Sequence, residues 1–226
     1  MDIVIPNAGI ASAGLLYWLN TTQYDSEKPE TITPPPPPQK VIDINYHAVF
    51  NTVHAAIWYF KNFPGSDLSY SKNIVFVSSM GGYNHMPTTT CYNSSKWGVR
   101  GLFWSLRNVE QLLGEGKPKF RANLIAPTYV STNMTRGIKE RVKETNSPIK
   151  VAEVSDVVHV VLRMVSDEGV KGMCSSQRSG QSMRYVYSLK QPYILISNYF
   201  YYYSCVMHII YKRRIQRNLR QRHIYI

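Results

Sequence analysis

Cysteine is scarce in these 226 residues: Cys91, Cys174 and Cys205 lie far apart and form no C-x-x-C pair. The first residues, MDIVIPNAGI, make no secretory leader, so a disulfide framework is not expected and a reduced, cytoplasmic setting is. Histidine is equally sparse. Six are present, none at zinc-ligand spacing, and His47 and His54 fall seven apart on one helix face without a third ligand, so no metal is expected. Acidic residues disappear after Glu168: residues 1–168 hold 16 Lys and Arg against all 14 Asp and Glu, whereas 169–226 hold 10 basic residues and no acid. The formal charge of +12 therefore belongs to the tail, and the body lacks the basic stripe that tracks phosphates, so no nucleic-acid partner is expected for it.

What is present alternates. Ile3, Val4 and Ile5 form a short apolar run closed by proline and the turn Asn7-Ala8-Gly9, which reads as a buried strand ending in a tight turn. Residues 10–40 read as a loop whose five prolines, Pro34 to Pro38, hold an extended spacer. Residues 41–62 place Val41, Ile42, Ile44, Val49, Val53, Ala56 and Ile57 on one helical stripe, and KNIVFVSS is a strand buried on both faces. Residues 92–113 read as a second long helix, FRANLIAP as a third strand, and 155–166 as a helix capped by Ser155. Strands alternating with helices of this length imply an α/β fold with a parallel, doubly wound, Rossmann-like sheet.

One constellation carries chemistry. Ser79 ends the IVFVSS strand, where open α/β sheets bind ligands, and Tyr92 and Lys96 follow one helical turn apart. Residues at i and i+4 share a helix face, so the ammonium can lie near the phenol, and a fixed cation favours the phenolate needed for proton transfer. Tyr24 and Lys28 repeat the spacing, but in a polar, proline-rich loop that offers no such context.

These residues resemble the short-chain dehydrogenase/reductase family, whose pattern is a strand-end serine followed by Tyr-x-x-x-Lys. NAG at 7–9 resembles the family's Asn-Asn-Ala-Gly turn, with Pro6 for its first asparagine. DINYHAV resembles Asp-x-Asn-x-x-Gly, with Asn45 as the tetrad asparagine and Ala48 for glycine. APTYVSTNMT resembles the Pro-Gly stretch after the sixth strand, with Thr128 for glycine. The resemblance covers residues 1 to about 172 and implies hydride exchange between NAD or NADP and a small-molecule alcohol or carbonyl. It assigns Tyr92 as acid/base, Lys96 as the residue that lowers the tyrosine's pKa and holds the nicotinamide ribose, Ser79 as the orienter of the reacting oxygen, and Asn45 as the holder of a relay water. Asn7, Ala8 and Gly9 are then expected to line the cofactor cleft, and Pro127, Val130 and Thr132 to meet the nicotinamide end.

The resemblance begins at the family's fourth strand. No Gly-x-x-x-Gly-x-Gly occurs in these residues, so the expectation is an incomplete Rossmann sheet lacking the first three strands and the phosphate turn, with impaired activity and unreadable cofactor preference. Residues 1–172 are expected to be a partial dehydrogenase domain, and 173–226 a divergent basic, tyrosine-rich tail. The subgroup most resembled is the 15-hydroxyprostaglandin dehydrogenases. A homodimer through helices 41–62 and 92–113 is a further implication. The alternative is a noncatalytic chain, either a dimerising interaction protein or one anchored in a membrane by residues 193–211, although the tyrosines there argue against membrane contact.

Overall fold

A computed structural model describes residues 2–11, 14, 39–84, 86–145, 150–172, 174–178 and 181–185. Most of the proline-rich loop and the whole of residues 187–226 lie outside them, and the compact unit that holds the described residues runs from Met1 to Val186.

Strands β1 (Ile3–Val4), β2 (Lys72–Val77), β3 (Phe120–Pro127) and β4 (Cys174–Arg178) pair in parallel in that order, and β5 (Gln181–Tyr185) closes the sheet antiparallel to β4. A short helix, Lys40–Ile42, runs through a π-helical turn, Asp43–His47, into α1 (Ala48–Asn62). Helix α2 (Thr90–Leu106) follows β2, and α3 (Ile138–Glu144) and α4 (Val154–Ser166) follow β3. Side chains alternate across a strand, and both faces of β2 and β3 are covered. Val75 and Ile125 pack on Val160 and Met164 of α4. On the other face Phe76 meets Phe103 of α2 edge-on at 6.0 Å between ring centroids. Val49, Val53, Ala56 and Phe60 form the buried stripe of α1. Burying each such aliphatic or phenylalanine side chain contributes roughly 1.5–3 kcal/mol.

Three local readings are corrected. Helix α2 ends at Leu106, short of residue 113, and turns follow. Ser155 does not cap α4: Glu153 does, its side chain accepting from the backbone N–H of Asp156 while the Asp156 carboxylate accepts the Glu153 N–H at 3.0 Å. This reciprocal box satisfies two orphan donors, which a lone serine hydroxyl cannot. Residues 174–178, polar enough to read as divergent tail, form the strand beside β3, where backbone pairing replaces the missing aliphatic run. Cys174 and Ser175 are buried there.

A buried cation ties the sheet together at each of two points. Lys72, 1% exposed, pairs with Asp2 beside β1. Arg121 of β3 reaches under the end of α4, donating from Nη1 to the carbonyls of Met164, Asp167 and Val170 at 3.2, 2.9 and 2.8 Å, and from Nη2 to Glu168 Oε1 at 3.0 Å.

Candidate active site

The carboxyl ends of β2 and β3 and the first turn of α2 converge on Tyr92. Ser79, two residues past β2, caps the 3-10 turn Met80–Gly82 by accepting the Gly81 N–H at 3.1 Å. Its hydroxyl lies 3.5 Å from the carbonyl of Pro127, the last residue of β3, and near enough to the Tyr92 phenol to favour its ionised form. Lys96 sits one turn along α2 with Nζ 5.8 Å from the Tyr92 ring centroid, donating to the Val77 carbonyl at 3.0 Å. Gly82 lets the helix approach closely: a Cβ there would lie 2.8 Å from the Lys96 carbonyl, which accepts the Ser78 hydroxyl at 3.0 Å.

Asn45 arrives from the π-helical turn and is fully buried. Its Oδ1 accepts the Ile10 N–H at 2.8 Å, and its Nδ2 donates to the Ile10 carbonyl at 2.9 Å and to Ser95 Oγ at 3.2 Å. The side-chain amide therefore clamps the Asn7–Gly9 turn instead of facing a water. The clamp sits in a π-turn of the kind frequent in functional sites. Ser95, which sequence reading passed over, joins the clamp to the helix by donating to the Tyr92 carbonyl at 2.6 Å. Its signal was available, since position i+3 from Tyr92 places it on the same side of the helix.

The structure thus brings Gly9, Asn45, Ser79, Tyr92, Lys96 and Pro127 together. Asn7 and Ala8 are exposed beyond the clamp. Val130 is held away by a bridge to Ala152, and exposed Thr132 starts the turn Asn133–Thr135. Their hydrogen bonds run to these neighbours rather than to the tyrosine.

The electrostatics depart from expectation. Burial raises the Tyr92 pKa above its ordinary value; the Ser79 hydroxyl opposes this and the nearby Tyr129 phenol adds to it, while Lys96 is not among the causes. The lysine itself is driven from 10.5 down to about 8 by burial. Burial thus disfavours the charged form of both groups, and the ammonium begins to lose its proton as pH nears 8. At neutral pH, Tyr92 is a protonated phenol, arranged to donate.

A base whose folded pKa lies below its unfolded value costs stability while the unfolded chain holds more protons. The Lys96 penalty is full below pH 8, on the order of 3 kcal/mol, and is recovered as pH rises from about 8 to 10.5. Lys96→Met should therefore raise stability by about 1–2 kcal/mol near neutrality, after allowing about 1 kcal/mol for the lost bond to Val77. This gain should shrink near pH 10. Urea midpoints for both proteins at the two pH values test it, and a variant less stable than its parent at neutral pH contradicts it.

Among these groups, a ribose finds donors on Lys96, and a flat ring finds open backbone at Gly9, where a Cβ would stand 3.3 Å from Asn45 Oδ1 and 3.7 Å from Lys96 Nζ. The donor set fits the nicotinamide end of a dinucleotide. Nothing in the 226 residues supplies the Gly-rich turn for its pyrophosphate.

Residues 1–143 match the family model described as short chain dehydrogenase. The NADP-dependent dehydrogenase M3 of Phoma sp. (strain ATCC 20986 / MF5453) is 32% identical over 182 residues, covering 76% of this chain and 50% of that protein. The NADP-dependent dehydrogenase clz5 of Cochliobolus lunatus is 29% identical over 181 residues, 76% of this chain and 60% of the relative. A solved 4-hydroxyisoleucine dehydrogenase complexed with NADH superposes with a TM-score of 0.54 at 20% identity, covering 78% of this chain and 66% of that one, a likeness of fold. The chain spans about half the length of the curated relatives it matches.

Proposed function

Since the chain belongs to the short-chain dehydrogenase family, we propose that its site performs the proton-transfer half of a reversible exchange between an alcohol and a carbonyl compound. The observation that carries this reading is the placement of the Tyr92 ring and Ser79 on either side of Gly81 at the carboxyl end of β2, with a buried ammonium one turn away. NAD or NADP supplies the hydride chemistry when bound. Lys96 holds the ribose, Gly9 leaves room for the ring, Ser79 aligns the reacting oxygen, and the protonated Tyr92 delivers its proton to a carbonyl undergoing reduction. The two NADP-dependent relatives favour NADP. None of the relatives named above is a 15-hydroxyprostaglandin dehydrogenase, and that finer assignment finds no support among them.

The 226 residues are expected to bind the dinucleotide weakly and to turn over slowly, since the pyrophosphate finds no turn of backbone amides in them. Calorimetric titration with NADPH tests this. Affinity no better than about millimolar is the expected result, rising by 100-fold or more when the chain is joined in frame behind the Gly-rich first half of a family member. Micromolar affinity of the 226 residues alone overturns the impairment, and no affinity in the fused protein overturns the cofactor reading.

Pairing of two copies through α1 and α2 is part of the same proposal. Phe50 and Trp58 on α1 and Trp97 on α2 are 46%, 50% and 49% exposed, an aromatic surface of the kind that marks interfaces. Sedimentation of the chain and of Trp58→Glu/Trp97→Glu tests it: a dimer is expected only for the parent. No helix among the described residues is long and apolar enough to cross a membrane.

A further inference from the structure

The ten residues from Met80 to Thr89 join the serine that would hold the reacting oxygen to the helix that carries the tyrosine. Gly81 of this connection lies against both Ser79 and Tyr92. The connection's far end is a 3-10 turn, Pro87–Thr89, that runs into α2 without a side-chain cap at Thr89. The turn is instead gripped from inside the helix. Asn93, next to Tyr92 and 8% exposed, donates from Nδ2 to the Met86 carbonyl at 3.1 Å and accepts the Thr89 hydroxyl on Oδ1 at 3.2 Å. The near end depends on the same residue. A Cβ on Gly81 would lie 2.9 Å from Asn93 Oδ1 and 3.2 Å from Tyr92 Cε1, while the Gly81 N–H donates to Ser79 Oγ at 3.1 Å. Gly81 therefore touches the serine, the tyrosine and the asparagine at once, and only a residue without a side chain leaves room for an amide at position 93.

We infer that Gly81 and Asn93 are an interlocked pair, with Asn93 a positioning residue that fixes the Tyr83–Thr89 connection against the Tyr92 ring and so sets the wall of the site on the substrate's side. The inference rests on the dehydrogenase reading for what the wall faces, though not for the lock itself. A buried amide satisfied at both ends is costly to remove, because Met86 and Thr89 lose partners that water must then supply. Release of the connection moves the ring that leans on Gly81, and with it the phenol beside Ser79.

The test uses the full 226-residue chain and needs no turnover. Hydrogen exchange of residues 83–90, measured against the body of α2 at 97–106, should quicken about tenfold in Asn93→Ala, with 97–106 unchanged, as expected for losing local hydrogen bonds. Thr89→Val, which deletes only the hydroxyl donor, should move the same segment less and should add little in the Asn93→Ala background. The Tyr92 phenol, followed by carbon NMR with assignment from Tyr92→Phe, should shift its titration in Gly81→Ala, and Asn93→Ala should reverse part of that shift by vacating the space. Unchanged exchange at 83–90 in Asn93→Ala, or effects of Thr89→Val and Asn93→Ala that simply add, would overturn the lock. A phenol that titrates alike in Gly81→Ala and the double variant would overturn its link to Tyr92. Because each readout is free of cofactor and substrate, a chain that binds no dinucleotide even when fused behind the Gly-rich half of a family member refutes the dehydrogenase reading and leaves these results standing.

Discussion

Tyr92→Phe, made in the chain joined behind the Gly-rich half of a family member, should lower kcat by about 10³-fold while leaving dinucleotide affinity within about twofold. The phenol is the proton donor in the proposed reaction, and a positioned general acid contributes about 10²–10⁴ in rate. Phenylalanine keeps the ring that lies against Gly81 and loses only the hydroxyl. Lys96, Asn45 and Gly9, which would meet the dinucleotide, keep their mutual contacts. Initial rates of reduced nicotinamide consumption with a ketone substrate, together with titration of the cofactor, separate the two quantities. Retention of more than a few per cent of kcat would remove Tyr92 from the role of acid/base. The pH profile adds a sign. With the phenol's pKa raised by burial, the reductive direction should hold its rate across neutral and mildly alkaline pH, whereas a lowered pKa would cut it off near neutrality.

Arg121→Met should cost about 1.5–3 kcal/mol of stability, the range for losing hydrogen bonds from a charged group. The arginine closes the carboxyl end of α4: its donors take the carbonyls of Met164, Asp167 and Val170, and Ser71 and Glu168 complete the ring around it. A helix end leaves four carbonyls without intrahelical partners, and here one guanidinium does much of the work that a C-terminal cap would do. Two asparagines extend the layer, Asn73 donating to the Met164 carbonyl at 2.8 Å and Asn123 to that of Val170 at 3.1 Å. Methionine fills similar volume but offers no donor, so the carbonyls of Met164, Asp167 and Val170 each lose the guanidinium and keep only their second partners, Asn73, the Val170 N–H and Asn123. The denaturant midpoint should fall accordingly, and a loss below about 1 kcal/mol would mean that water reaches this end of α4 freely. Glu168→Gln should cost far less, because its side chain is 47% exposed and the guanidinium keeps its carbonyl partners.

What could be read from sequence was what lies close along the chain. Tyr92 and Lys96 are four residues apart on one helix, and Ser79 follows the apolar run Ile74–Val77 by two residues, so spacing and periodicity sufficed. The Asn45 clamp could not be read that way. Its partners are 35 and 50 residues distant, and the choice between binding a backbone and binding a water is made by tertiary placement. The same limit hid the electrostatics: a lysine near a tyrosine suggests a lowered phenol pKa until burial is known, and burial here acts against both charges. Arg121 carries no local signal of its role, because its ring of acceptors is assembled from residues near 71 and 168. Strand β4 escaped notice for the opposite reason: Cys-Ser-Ser-Gln-Arg has no apolar signature, and its place is set by the ladder with β3.

The π-helical turn ahead of α1 has a consequence for helical phase. Val41, Asn45 and Val49 are buried at a strict interval of four. In a regular α-helix four residues overshoot a full turn by roughly 40°, so three such positions would drift around the axis and the third would leave the line of the first. The wider turn at Asp43–His47 falls short of a revolution over the same interval and cancels the drift. It acts as a vernier between two helical segments, setting a polar amide on the same meridian as the valines before and after it. Removing one residue from this turn would tighten it to regular winding and leave both valine segments helical. Asn45 would then be carried around the axis, away from Ile10, with no change to its identity.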